Sequence, residues 1–417
     1  MKLLLEISQD AYLIAFFLFC IAFIMFVFAM AGNKKKSNPA VHERRWGTIS
    51  FVITLIGLVA QIVYFITRWI GGGHIPVSNM YEFMSFLSMM IIGAFIVMYL
   101  IYRSPVLGVF AVPLAFIIMA YASVFPSEVQ PLIPQLDSVW LKIHVTMVAL
   151  GYAFFGIGFI AGLMHLIRCV NWAPDAPKRP QVWLEMIMVL IVVIIGFTAV
   201  VFSYRGAGYE VTINQRVEEV DKQGQINSKI ESTVYTMPPL IAPLNSEPAD
   251  IKPLLGIPLP LMEAPDWMKG VQAARKLNTT VWSLIGGLLL YGIIRLLIRK
   301  PIAERIQPLL RGMDPDDLDE ISYRSNAIGF PIFTLGGLVF AMIWAQIAWS
   351  RFWAWDPKEV WALITWLCYS AYLHLRLSRG FQGTRSSWLS VIGFIIVMFT
   401  LLGVNLIISG LHSYAGV

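Results

Sequence analysis

Long apolar runs separated by short polar clusters fill most of the chain. A membrane-spanning helix needs roughly 20 mostly apolar residues. Runs of that kind predict ten helices, at 9–31, 47–70, 82–102, 105–124, 141–167, 183–203, 280–299, 326–348, 361–377 and 387–410. The first differs from a signal peptide. No basic stretch precedes it, its apolar core is too long, and Lys34, Lys35 and Lys36 follow it. The one sizeable polar region is 204–279, rich in Pro, Glu, Asn and Lys. Its stretch "VTINQRVEEVDKQGQINSKIESTVYTMPPL" alternates enough for a few strands. The expected fold is an all-α polytopic membrane protein of about ten transmembrane helices with one extracytoplasmic insertion. Three parts are expected: an N-terminal transmembrane bundle at 1–170; an inserted pair of helices at 171–317, carrying the extracytoplasmic loop 204–279; and a C-terminal bundle at 318–417.

Composition strengthens the class. Of 417 residues, 58% are hydrophobic and 13% charged, with mean hydropathy +0.70. A soluble domain sits near 45–50% and about 25%. The net charge of +6 does not point to nucleic acid, because the basic residues are scattered at segment ends. There they report orientation. With the N-terminus outside, inner segments carry 18 Lys and Arg against 5 in the short outer ones, once the long loop 204–279 is set aside. This places both termini outside. Cys20, Cys169 and Cys368 are far apart and form no CxxC, which argues against a disulfide framework or a thiol redox site. Without a CxxCH the chain is not itself a c-type cytochrome.

The candidate chemistry lies in "WSRFWAWDPKEVWALITW", from Trp349 to Trp366, where five tryptophans surround Arg351, Asp356, Lys358 and Glu359. Six histidines accompany it. His42 in the basic inner loop reads as solvated, and His165 as interfacial. His74 in "GGGHIPVSNMYEF" is open to either a structural or a functional reading. His144 stands four residues after Trp140, on the same helix face. His412 lies at the outer end of the last span, with Asn405 seven residues before it. His374 sits inside a span, 13 residues past Trp361, or about 20 Å deeper. Histidines His144 and His412 thus flank an aromatic platform at one surface, and a third lies deeper. A flat apolar ligand with a central metal suits that pattern. Haem iron takes axial imidazoles, its faces take aromatic contacts, and Arg351, Lys358 or Lys142 suits its propionates. An interfacial aromatic belt is the competing reading of the tryptophans.

The stretch "WAWDPKEVWALITW" resembles the tryptophan-rich WWD motif of haem-handling membrane proteins. With "PVSNMYEFMSFLS", "VWLKIHVTMVALGYAFF", "LDEISYRSNAIGFPIFTLG", "YLHLRLSRGFQGTRSSWLSVIGF" and "GVNLIISGLHSYA", the chain resembles the CcsA/ResC family of system II cytochrome c biogenesis. The likeness omits the beginning and roughly 171–317, and the WWD motif alone would also admit the haem lyases of system I. The resemblance implies that His144 and His412 are axial haem ligands. It implies that Trp349, Trp353, Trp355, Asp356 and Trp361 contact haem, and that His374 is the membrane-embedded histidine. It also implies haem b (heme b) as the molecule handled, apocytochrome c as substrate and a CcsB/ResB-type membrane partner. The extra spans 183–203 and 280–299 depart from the family pattern, but a pair of spans preserves the sidedness downstream.

The expected function is export of haem to the outer membrane face and its covalent attachment to the CxxCH of apocytochrome c. That is a cytochrome c haem lyase or synthetase activity exercised with the partner. The expected place is a bacterial plasma membrane, with thylakoid as the alternative. Two other classes remain open: a secondary transporter with His374, Glu82 and Glu185 in a proton relay, and a non-catalytic scaffold for a haem-carrying partner.

Overall fold

The computed structural model describes residues 1–31, 39–129, 137–220, 226–247, 251–254, 256–265, 273–378 and 381–404. In a bilayer every backbone N–H and C=O must be satisfied within its own segment, so apolar runs fold as helices. Among the described residues nine helices are long and apolar enough to cross a membrane. The remaining expected span, 361–377, is also helical, within Pro357–Leu377. Its Trp, Tyr, His and Arg residues make it less apolar than the nine. The protein is an all-α polytopic membrane protein. Its elements are α1 (Lys2–Ala31), α2 (Pro39–Gly72), α3 (Met80–Tyr102), α4 (Pro105–Ala122), α5 (Val139–Cys169) and α6 (Lys178–Gly206). Strands β1 (Val211–Val220), β2 (Ile226–Tyr235), β3 (Ile241–Ala242) and β4 (Met262–Glu263) follow. Then come α7 (Ala273–Ile298), α8 (Ile302–Ile306), α9 (Pro315–Phe333), α10 (Ala341–Trp349), α11 (Pro357–Leu377) and α12 (Thr384–Met398).

Helices α9 and α10 form one continuous helix through a π-helical stretch, Thr334–Phe340, and α12 runs into a second, Phe399–Gly403. The predicted span at 326–348 therefore begins eleven residues early, at Pro315, where Asp314 caps the first turn by accepting from Asp316 N–H at 3.0 Å. Polar sequence here extends an apolar helix, and a run of apolarity cannot mark that boundary.

The described chain divides into two compact units. The first is built from Met1–Leu184 and the described residues from Ile302 onward, the second from Glu185–Pro301. Within the first, α5 is the central helix, buried from Val148 to Ile167 apart from Leu150. Glycines let its neighbours approach. A Cβ at Gly151 would meet Phe333 Cβ at 2.9 Å, one at Gly158 would collide with the Asn326 amide, and one at Gly162 would meet Ser322 Oγ at 3.3 Å. The small-xxx-small spacing of Gly158 and Gly162 is thus used to seat α9. Hydroxyls and amides join α9 to both α5 and α12: Ser322 Oγ donates to Gly158 O at 2.8 Å, and Asn326 Nδ2 to Ser390 Oγ of α12 at 2.8 Å. At the C-terminal end of α11, Asp319 accepts from Arg376 and from Gly383 N–H, tying α9 to α11 and to the start of α12.

Two histidines differ from their sequence reading. His42 is buried, because α2 starts at Pro39 and carries it back onto α1. Its Nε2 lies 3.3 Å from Phe28 O, and its ring meets Phe28 edge-on. His165 is buried too, with Nδ1 3.0 Å from Ser387 Oγ on α12. Each is held by a partner distant in sequence.

In the second unit, α6 and α7 meet at Gly196 and Gly286, where a Cβ on Gly196 would fall 2.7 Å from Gly286 backbone. Strands β1 and β2 form an antiparallel hairpin pairing Val211 with Tyr235, and β3 pairs with β4 in parallel. Asn278 of α7 bonds both the N–H and the C=O of Ile241, and Trp282 Nε1 donates to Pro238 O at 2.9 Å. The three cysteines are free thiols.

Candidate functional site

The stretch 349–361 folds as a connection between α10 and α11, and its charges explain how. Asp356 is the N-cap of α11 and accepts from Lys358 N–H at 3.1 Å. The Glu359 carboxylate accepts from Ala354 N–H at 2.7 Å and Asp356 N–H at 3.3 Å, and Pro357 takes the first helical position. This capping box satisfies backbone donors that an apolar setting would leave costly. Ser350 and Trp355 both hold left-handed backbone, with φ of 57° and 58°. For a bulky residue such as Trp355 that conformation is rare and costs of order 1–3 kcal/mol. Strain of this kind collects at functional sites.

The connection covers a cavity of ≈ 230 Å³, many times the ~10–15 Å³ of such space that one water needs. Its walls come from five places: the turn before α3 (Ile75 to Met80), the first half of α5, the π-helical stretch and α10, the start of α11, and the second π-helical stretch. His144 lines it. The imidazole lies parallel to the Trp344 indole, with centroids 5.9 Å apart and planes 10° apart, and its Nδ1 is 2.8 Å from Gly336 O. Trp344 in turn meets Trp349 edge-on at 4.8 Å. Trp353 also lines the cavity, and its buried Nε1 finds no acceptor among the described residues. Lys358 contributes an ammonium to a wall otherwise mostly apolar. It lies just before the 361–377 span. Withdrawal from water pushes its pKa down to about 8, against which the neighbouring Asp356 carboxylate acts.

The turn before α3 is held by a buried ion pair. Arg68 of α2 donates to Glu82 of α3 at 2.8 Å, and Glu82 also accepts from Ser78 N–H and Ser78 Oγ at 3.0 and 2.7 Å. Asn79 caps α3 by accepting from Glu82 N–H at 2.9 Å. With its lone pairs committed in this way, Glu82 is a structural anchor rather than a relay group. Glu185 accepts from Tyr291 OH at 2.8 Å in the other unit.

Among the expected site residues, the structure brings His144, Trp349 and Trp353 to one cavity. Asp356 is buried in the cap behind the wall. Trp355 is 70% exposed, paired edge-on with Trp353 at 5.9 Å. Trp361 packs on Phe399 at 4.3 Å. His374 is exposed in the last turn of α11, at the end of that helix away from the cavity. His74 is buried with Nδ1 3.0 Å from Ile75 O and does not line the cavity. His412 and Asn405 lie outside the described residues. Of the cations expected to face propionates, Lys358 lines the cavity. Arg351 is exposed and Lys142 pairs with Asp137 at 3.4 Å.

The sequence reading missed Trp344, Gly336 and the Ile75–Met80 turn. Trp344 sits in an apolar run like any core tryptophan. The signal for the π-helical stretch was Pro331 followed by Gly336 and Gly337 within one span, an unusual density of helix-weakening residues.

Aromatic walls, one imidazole, an ammonium and an indole donor without a described acceptor fit a flat, largely apolar ligand with an anionic edge. Among the described residues no three His, Cys, Asp or Glu side chains converge to hold a bare metal ion. A family model described as cytochrome C assembly protein matches residues 77–237 and 280–412. The cytochrome c biogenesis protein CcsA of Trichormus variabilis is 30% identical over 406 residues, covering 95% of each chain. That of Gloeobacter violaceus is 30% identical over 380 residues, 90% of this chain and 87% of the relative, and that of Nostoc punctiforme 31% over 354 residues, 83% and 82%. Matching over nearly its whole length and not only at the tryptophan-rich motif, the chain belongs to the CcsA family of cytochrome c assembly proteins.

Proposed function

We propose that this protein receives haem at the cavity beneath the Trp349–Trp361 connection, on the extracytoplasmic side, and presents it for covalent attachment to apocytochrome c. A role in cytochrome c maturation comes with the family. The observation that carries the finer reading is one cavity lined by His144, Trp344, Trp349, Trp353 and Lys358. His144 supplies one axial nitrogen and His412 the other. The indoles cover the apolar porphyrin, and Lys358 with Trp353 Nε1 meets the propionates. The substrate supplies its own nucleophiles: each thiol of a CxxCH adds its S–H across a vinyl C=C, a redox-neutral step with no leaving group. The protein contributes position, which is worth several kcal/mol when reacting atoms are held close. The substrate histidine displaces one axial imidazole as product forms. His374, at the far end of α11, serves the route from the inner side, with a CcsB/ResB-type membrane partner supplying its counterpart. The membrane is the bacterial plasma membrane or the thylakoid, and both termini face outward.

An absorption spectrum of the purified full chain, with and without the partner, tests this. The expected result is a Soret band that shifts or weakens in both His144→Ala and His412→Ala, with imidazole partly restoring it. A colourless protein, or a Soret band untouched by either substitution, would reject the reading in favour of a scaffold or a solute transporter.

A further inference from the structure

The π-helical stretch Thr334–Phe340 meets α5 beside His144. In an α-helix each interior carbonyl is taken by the N–H four residues on, whereas a π-turn shifts that pairing, and such turns are frequent at functional sites. Here Gly336 O faces α5 and accepts the His144 Nδ1 proton at 2.8 Å. The approach needs glycine: a Cβ at Gly336 would lie 2.5 Å from Met147 Cβ and 2.8 Å from Val148 N, and the latter is backbone that cannot swing aside. The stretch is braced from α11, where Trp366 Nε1 donates to Thr334 Oγ1 at 3.0 Å. The Trp344 indole stacks on the imidazole.

A carbonyl oxygen only accepts, so Nδ1 must carry the proton. The lone pair of the neutral ring is then on Nε2. A carbonyl partner of this kind fixes a ligand's tautomer and orientation and raises its basicity. We propose that the Gly336 carbonyl is the positioning group for His144, presenting Nε2 to the haem iron in one orientation. The inference rests on the reading above that His144 is an axial ligand.

The test uses the haem-loaded full chain bearing His144→Gly, titrated spectroscopically with three free bases. Imidazole and 4-methylimidazole carry an N–H to give to Gly336 O. 1-Methylimidazole, an isomer of the second, binds iron equally but has no N–H. Both N–H bases should bind about tenfold more tightly than 1-methylimidazole, the lower end of the effect of removing such a partner. The difference should vanish in His144→Gly/Gly336→Ala. Gly336→Ala alone should raise the haem reduction potential, because a less basic imidazole stabilises ferric iron less. Should that variant not accumulate, the comparison of bases in His144→Gly decides alone. Equal affinity for all three bases overturns the inference while leaving His144 a ligand. A His144→Gly spectrum identical to wild type overturns both.

Discussion

At the scale of single residues, the cavity separates side chains that line it from those that hold the wall behind them. Lys358 is of the first kind. Because desolvation lowers its pKa to about 8, its charge is present at neutral pH and fades as pH rises through that value. Retention of an anionic porphyrin should therefore weaken between about pH 7 and 9. Lys358→Met should bind haem more weakly at pH 7 and lose this dependence, and haem occupancy measured across that range checks both. A Lys358→Met variant with the wild-type pH profile would remove the ammonium from the site. Trp353→Phe keeps the apolar wall but deletes the indole donor. It should lower affinity several-fold for haem, and little for a porphyrin whose propionates are esterified, in parallel binding titrations.

At the scale of elements, the connection between α10 and α11 and the turn before α3 are each fixed by buried carboxylates used structurally. Asp356→Ala removes an N-cap, at about 0.5–2 kcal/mol, and should lower the melting temperature of the haem-free protein as well as haem binding. Trp355→Gly relieves the left-handed strain, so it should leave the melting temperature unchanged or raised while reducing cytochrome c yield. A large loss of thermal stability would show that the Trp355 side chain matters more than its backbone. Glu82→Ala leaves Arg68 buried without its carboxylate, a loss of about 3–5 kcal/mol. Replacing both residues of the pair by apolar ones should cost far less in the same melting assay.

At the scale of the molecule, every wall of the cavity comes from the unit outside Glu185–Pro301. Replacing 208–272 by a flexible linker should leave the haem spectrum intact, and a loss of cytochrome c maturation with the spectrum preserved would assign that region to substrate or partner. The helices were legible from the sequence because apolar length is additive residue by residue and lipid leaves the backbone no alternative. The tryptophan-rich stretch stood out in the sequence because charges among indoles are unusual in such a chain. Other features depended on partners far along the chain. His42 and His165 read as surface residues until α1 and α12 closed over them. Glu82 read as a relay candidate until Arg68, 14 residues away, met it. Sequence alone thus determined the membrane class, the number and order of helices to within their polar extensions, and the tryptophan-rich stretch that lines the cavity. Tertiary structure decided which of those residues meet in one cavity, that a π-helical turn supplies the carbonyl behind His144, and that Trp344 stacks on its ring. These are contacts between segments nearly 200 residues apart, and no local spacing encodes them.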